Sequence, residues 1–483
     1  MIHHIFNIVK SLFSGYNLGM TSFTHSTYIS PFTWRYGSKN MRFIWSEENK
    51  RLLLRSVWVA LATAQNKVGL VTDEELSDLK AHQKDIDIER AEEIENEIHH
   101  DLMAEIKTYA EQCKIGGGKI HLGATSTDAL DNAEAIRLKD AIRLIKSDLD
   151  KVVASLDELI KNYGDTPCMA YTHLQSAEET IYAHRFSLWK ESIEAAIATI
   201  NNIKIYGKGF KGAVGNYSGY DVLLKGKTYK GKPFTALDME KIALEELDLD
   251  AFKFTCQVYP RYQDLSIMQA LSLIAAVSAK IAFDIRLLQS AGFGELSEYF
   301  SSHQVGSSAM PFKKNPINAE KINSIARFVH SLESSAWENT ANSALERTLD
   351  DSANRRLFLP EGFLGVDEIL TTLEKELSTL TLNTNSIELN REKFGVFAAT
   401  EGVMMKAVEN GGNRQELHEV IREASIKAKA ELEKSGTNPL KTILSEDKRL
   451  LKYLKNDEIL TLLSTSPELP TIHNITKGDN HDN

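Results

Sequence analysis

Residues 126–163 read STDALDNAEAIRLKDAIRLIKSDLDKVVASLDELIKNY, with neither proline nor glycine from end to end. Ile142, Ile145, Leu149, Val152, Leu156 and Leu159 recur at spacings of three and four. That period keeps one apolar stripe on one side of an α-helix, long enough here to cross a whole domain. Such a helix cannot bury its stripe alone, and its neighbours behave alike. Ala177 to Tyr206, Tyr262 to Ala291, Lys321 to Leu345 and Glu361 to Leu380 read as further long helices, the second with Ile267, Leu271, Ile274, Ile281, Ile285 and Leu288 in register. The expectation is an all-α bundle. Its sustained near-heptad stripes offer more apolar surface than a solitary bundle buries, so packing across copies of the chain is expected too.

Outward from this centre the punctuation is helical as well. Ser46 precedes the apolar-rich run Leu52 to Ala64, which ends near Gly69. Thr72-Asp73-Glu74-Glu75 has the form of a capping box opening the next helix. Strand signals are few: Lys225 to Phe234 (KGKTYKGKPF) predicts a small hairpin in an insertion. Gly436 with Pro439, and Ser464 to Pro470, mark loops, and the chain beyond about residue 471 has a disordered composition.

Length and charge bound the function. At 483 residues, two or three domains are expected. Hydrophobic residues make up 42% and charged residues 25%, an ordinary globular balance. A net charge of -11 argues against nucleic acid as a partner, though a locally basic pocket can still hold a small anion. Cys113, Cys168 and Cys256 form no CxxC pair, which fits a reducing compartment and points to the cytoplasm. The most apolar stretch, Leu265 to Phe283, is interrupted by Gln269 and Lys280, so a buried helix is expected rather than a membrane span. Residues 1–46 contain no Asp or Glu. That suits either a targeting peptide or an extension ahead of a start at Met20, and the role of residues 1–30 stays open.

Two motifs invite readings that their context opposes. Gly207-Lys208-Gly209-Phe210-Lys211-Gly212 satisfies GxGxxG, yet a long helical segment precedes it where a dinucleotide site needs a strand. A glycine-rich loop between helices is expected. His99-His100-Asp101, with His121 nearby, suggests a metal site, but adjacent histidines on a helix point about a hundred degrees apart and make poor co-ligands. A hydrogen-bonded pair, or a ligand-facing His100, is the better expectation. The most informative loop is Gly306-Ser307-Ser308-Ala309-Met310-Pro311-Phe312-Lys313-Lys314-Asn315-Pro316. It offers a hydroxyl, a cation and an amide within a short span, and no GxSxG elbow surrounds its serines.

This loop resembles the signature of the fumarase/aspartase superfamily. Other segments narrow the resemblance to the adenylosuccinate lyase family: Arg35-Tyr36 with Trp45-Ser46, His100-Asp101, His121 to Asp128, and Thr172-His173-Leu174-Gln175. Gln257 to Arg261, Glu346 to Arg356, Ala399-Thr400-Glu401 and Gly411-Gly412 continue it in order. The resemblance implies a C–N lyase that removes fumarate from succinyl-purine nucleotides by β-elimination. It implies Ser307 as the base, His173 as the acid, and Lys313 and Asn315 as the grip on the succinyl carboxylate. Thr125 and Ser126, at the start of the long helix, match a second carboxylate grip; free N–H groups there favour anions. His100, Asp101, Thr172 and Gln257 match other substrate-contacting positions. Arg35, Tyr36, Arg347, Ser352 and Arg356 match the phosphate site. Ser352 and Arg356, four residues apart, would share a helix face.

Tyr171 stands where the family usually has Arg, Ser176 where it usually has Pro, and His99 at a position that varies. The resemblance further implies three helical domains: residues 1–125, a central long-helix bundle 126–385 with the signature loop 306–316, and 386–483 ending in a disordered tail. It implies a homotetramer with active sites shared between subunits, and no cofactor or metal. A relative acting on a substrate without phosphate, such as an argininosuccinate lyase, is the nearest rival; the Arg347 to Arg356 run and Arg35-Tyr36 speak against it. A non-catalytic structural tetramer would not need Ser307, Lys313, Asn315 and His173.

Overall fold

A computed structural model describes residues 26–464 and 468–477. Most of the reading that concerns residues 1–30 therefore lies outside the described residues. The protein is all-α, with three two-stranded antiparallel sheets among the described residues. The 126–163 stretch is one uninterrupted helix, Ser126–Tyr163, and all six residues of its predicted stripe are buried.

Local chemistry sets the helix ends. Ser46 caps Glu47–Asn66 by accepting from the Asn49 N–H, and Thr72 with Glu75 closes the expected capping box of Asp73–Ala81. Each such cap is worth about 1 kcal/mol over alanine. The apolar helix Tyr262–Gln289 is long and apolar enough to cross a membrane by composition alone. Its Ile267, Leu271, Ile274, Ile281 and Ile285 are buried in the protein, and its buried Asp264 pairs with Arg355. The predicted hairpin forms at Thr228–Tyr229 and Lys232–Pro233.

Several boundaries differ from expectation: helix Tyr182–Asn201 stops short of Tyr206, and Ile317–Ala341 stands where Lys321 to Leu345 was expected. Ala177 to Ile181 is not helical: Gln175–Ile181 pairs with Pro167–Thr172, and the helix begins at Tyr182. Helix Asp350–Thr379 starts well before Glu361, with Pro360 inside it. Pro360 supplies no N–H to the carbonyl of Arg356 one turn earlier, and the helix continues across this gap. Pro470–Lys477 is helical although composition marked much of it as tail.

The chain forms two compact units. Among the described residues, the first comprises the chain up to Ser147, Ala198–Ala275 and Arg327–Glu368. Its core gathers Trp58, Leu61, Tyr109, Phe210, Tyr220 and Met239, each fully buried. Burial of one such large side chain contributes about 1.5–3 kcal/mol. The second comprises Asp148–Ile197, Ala276–Ala326 and the described residues from Ile369 onward. Its C-terminal part packs Val403, Leu417, Val420, Leu440, Leu444 and Ile459 together.

Candidate active site

The first unit holds an arginine-lined cavity of about 160 Å³ whose walls include Lys50, Thr127, Arg347, Ser352 and Arg356. Ser352 and Arg356 do share a face of helix Asp350–Thr379 and open onto this one space. The arginines around it divide by their partners. Arg261 is buried between Asp351 (2.8 Å) and Asp131 (3.1 Å), and Arg355 is held by Asp264 (2.7 Å) and the Tyr259 hydroxyl (2.6 Å). These two charges are spent on the fold. Arg347 reaches Asp351 at 2.7 Å and Arg356 reaches Asp101 at 2.7 Å, and both side chains keep solvent exposure, 23% and 59%. A guanidinium with one carboxylate partner retains donors for a phosphate. Burial works against ionisation of Asp351, but Arg261 and Arg347 hold its carboxyl below the usual range.

Thr125, Ser126 and Gln257 come together beside this cavity. The Gln257 amide donates to the Thr125 hydroxyl at 3.4 Å, and the Thr127 hydroxyl donates to the Gln257 carbonyl. The Gln257 N–H donates to Glu346 O at 3.0 Å, which ties this group to the residue before Arg347. Beneath it lies a feature that sequence reasoning missed. The rejected GxGxxG loop wraps the first turns of helix Ser126–Tyr163. Buried Lys208 donates to buried Asp128 and to Gly212 O (2.9 Å), while Gly209 exchanges hydrogen bonds with Asn132. Asp128 also accepts from the Thr125 N–H (3.1 Å) and the Tyr220 hydroxyl (3.1 Å). The loop's polar groups thus hold the helix start in place. Lysine spaced three from lysine in an otherwise apolar, glycine-rich run was the available signal.

His100 is the N-cap of helix Asp101–Gln112, its Nδ1 accepting from the Met103 N–H at 3.3 Å, so Nε2 is the nitrogen left for a ligand. His99 closes the preceding helix at φ 55°. His121 accepts from the Trp58 indole at Nδ1 (3.0 Å), and burial lowers its pKa, which keeps it neutral. Arg35 and Tyr36 are not among the residues that wall the cavity. They lie on a loop strapped further along helix Asp350–Thr379, where Gly37 N–H donates to Glu368 (2.9 Å) and the Ser38 hydroxyl to Asp367 (3.0 Å). Gly37 has φ 81°, and a side chain there would strike Leu364. The exposed Arg35 guanidinium lies 5.7 and 5.8 Å from the ring centres of Trp34 and Tyr36.

The second unit carries the remaining candidates. Thr172 and Gln175 pair across a two-residue turn formed by His173 (φ 54°) and Leu174 (φ 59°), both exposed. The imidazole therefore sits at a hairpin tip. Tyr171, the departure before it, donates to Glu295 at 2.7 Å, and Tyr182 donates to the same carboxylate at 2.9 Å. Burial and Glu295 keep the Tyr171 hydroxyl protonated far above its usual range. Ser176 faces Tyr171 across the ladder.

The signature loop is folded back on itself. The Asn315 amide donates to Gly306 O at 3.0 Å, and a side chain at Gly306 would collide with the Lys313 carbonyl. Only glycine permits that approach. Ser307, Lys313 and Asn315 are thereby gathered on one cinched segment. The Ser307 hydroxyl oxygen accepts from the Met310 N–H at 3.1 Å, and the Lys313 side chain is exposed.

Comparison with known proteins follows this geometry. A family described as "Lyase" matches residues 24–330, and one described as "Adenylosuccinate lyase C-terminus" matches residues 397–477. The chain is 35% identical to an adenylosuccinate lyase of Pyrococcus abyssi over 89% of its own length and 93% of that protein's. It is 36% identical to that of Saccharomyces cerevisiae over 85% and 86%. Among solved structures, a fumarate lyase from Mesorhizobium sp. BNC1 superposes with a TM-score of 0.80 at 21% identity, covering 94% of this chain and 99% of that one. The 3-carboxy-cis,cis-muconate lactonizing enzyme of Pseudomonas putida follows at 0.77 and 20%, covering 90% and 94%. These two likenesses speak for the fold alone.

Proposed function

This chain belongs to the adenylosuccinate lyase family, and we propose that its elimination of fumarate from succinyl-purine nucleotides uses Ser307 as base and His173 as acid. The substrates are adenylosuccinate, giving AMP, and succinylaminoimidazole-carboxamide ribotide, giving AICAR. Ser307 takes the proton from the succinyl carbon beside one carboxylate, leaving a carbanion. The electron pair then forms the carbon–carbon double bond of fumarate as the C–N bond breaks, and His173 protonates the departing nitrogen. Histidine suits this role because its pKa lies near working pH. Serine needs a nearby cation and exclusion of water to act as a base. Lys313 and Asn315 hold the carboxylate that takes up the carbanion's charge. Thr125 and Ser126 hold the other, with Gln257, Thr172 and Asp101 contacting the substrate and His100 orienting it near the phosphate. Arg35, Tyr36, Arg347, Ser352 and Arg356 take the phosphate.

The observation that supports this most is the cinched loop, in which the Asn315–Gly306 bond draws a hydroxyl, an ammonium and an amide onto one segment. Phosphate recognition is supported by the partly open guanidiniums of Arg347 and Arg356 beside Ser352. We further read the working form as a cytoplasmic homotetramer of three-domain subunits, split near residues 125 and 385, with active sites shared between subunits. The unpaired thiols of Cys113, Cys168 and Cys256 favour a reducing compartment. Incubation with adenylosuccinate while absorbance is followed tests the activity. Ser307→Ala should lower kcat by about 10²–10⁴-fold; undiminished turnover would remove Ser307 as the base.

A further inference from the structure

The C-terminal root of the signature loop rests on two buried carboxyl groups that none of the assigned roles uses. Helix Ile317–Ala341 begins directly after Pro316. Glu298, buried, accepts from the first free N–H groups of that helix, Asn318 N (3.2 Å) and Ala319 N (2.7 Å). The backbone N–H of Glu298 donates to the Gln289 side chain at 2.8 Å, and that same side chain donates to Lys314 O at 3.2 Å. Glu298 therefore holds both ends of the junction between loop and helix. The Asn318 amide then bridges Glu298 (3.4 Å) to Glu376 (2.7 Å), so two acids of like charge share one donor group. Glu376 is 3% exposed, and its second oxygen, Oε2, has no hydrogen-bond partner.

We propose that Glu298 and Glu376 form a protonation-dependent clamp that positions the loop bearing Ser307, Lys313 and Asn315. Both are positioning residues; neither touches substrate. The assignment of chemistry to this loop rests on the reading above. Burial pushes both carboxyls up, but Glu298, capping a helix N-terminus, has the backbone N–H groups of Ala319 and Asn318 to offset that cost and is the better placed of the two to carry the charge. Glu376 has only the shared amide, and burial beside Glu298 pushes its carboxyl up to about 7 from an ordinary 4.5. The other charged groups facing the pair are Lys375 and Lys321, which favour ionisation of Glu376, and Glu320, which opposes that of Glu298. Below neutrality Glu376 is neutral and the clamp holds. As pH rises through about 7, a second buried negative charge appears beside Glu298, the two carboxylates repel across the shared amide, and the root of the loop loosens.

Hydrogen exchange of peptides covering residues 303–321, corrected for the intrinsic pH dependence of exchange, tests this in the intact enzyme. Between pH 6 and pH 8.5 the wild-type segment should lose protection by about threefold or more, while Glu376→Gln, which is neutral throughout, should stay within about twofold. The ratio of kcat/KM between the two proteins should shift over the same range in favour of Glu376→Gln. Effects common to both proteins cancel in that ratio. Parallel exchange profiles in the two proteins would overturn the clamp. The exchange readout does not depend on which group acts as base, so loss of the Ser307 assignment leaves it interpretable. Should Glu376→Gln fail to fold, Asn318→Ala offers the second arm: removal of the shared donor should expose the segment at pH 6 already, and full protection there would equally overturn the proposal.

Discussion

At the scale of single residues, arginines that look alike in sequence do different work. Arg355 and Arg356 are neighbours, yet one is held by Asp264 and Tyr259 inside the fold and the other reaches from the cavity wall to Asp101. Charge-assisted hydrogen bonds contribute about 1.5–3 kcal/mol each. Arg356→Met should therefore raise KM for the nucleotide by roughly 10–100-fold with a smaller change in kcat. Arg261→Met should act through stability instead, costing roughly 3–5 kcal/mol by leaving Asp131 buried without its cation and Asp351 with Arg347 alone. Steady-state kinetics and denaturant unfolding on both variants separate the two classes. The four-residue spacing of Ser352 and Arg356 made their shared face legible in advance. The division between spent and open arginines was not, because Asp131, Asp264 and Asp101 lie far away in sequence.

At the scale of elements, the hairpin 167–181 was the one that sequence periodicity misread. Its second strand, QSAEETI, lacks a clean alternation, and its turn contains no glycine or asparagine, the residues that usually announce positive φ. His173 and Leu174 occupy that conformation all the same, and a leucine there costs about 1–2 kcal/mol. Leu174→Gly should therefore stabilise the protein by about 0.5–1 kcal/mol after glycine's larger unfolded entropy is counted. Thermal unfolding at fixed protein concentration measures it. A loss of stability instead would mean that the exposed leucine is buried against another subunit. The long helices, by contrast, were plain in the sequence. A stripe such as Ile142 to Leu159 has a single period, and all of its members are buried as that period requires.

At the scale of the whole molecule, the groups assigned to phosphate lie in one compact unit and those assigned to acid and base in the other. The resemblance made the segments assigned to catalysis legible one by one; which of them meet around one substrate depends on the assembly proposed above, and no single-chain pattern encodes it. If Ser307 and His173 reach each site from different subunits, two inactive variants should rescue each other. Ser307→Ala and His173→Gln, unfolded and refolded together in equal amounts, should recover about one quarter of wild-type sites. Recovery no greater than the sum of the separate variants would place both groups on one subunit.

The proline inside helix Asp350–Thr379 bears on how the phosphate end behaves. With no N–H at Pro360, the rung that would join it to Arg356 is missing, one turn beyond the guanidinium that lines the cavity. Resistance to bending is lowest where a rung is absent. The turn bearing Ser352 and Arg356 is therefore held across that point by its buried side chains, Asp351, Phe358 and Leu359, rather than by a backbone rung. Side-chain packing and ion pairs, not the helical ladder, tie the anion-facing turn to the rest of the rod.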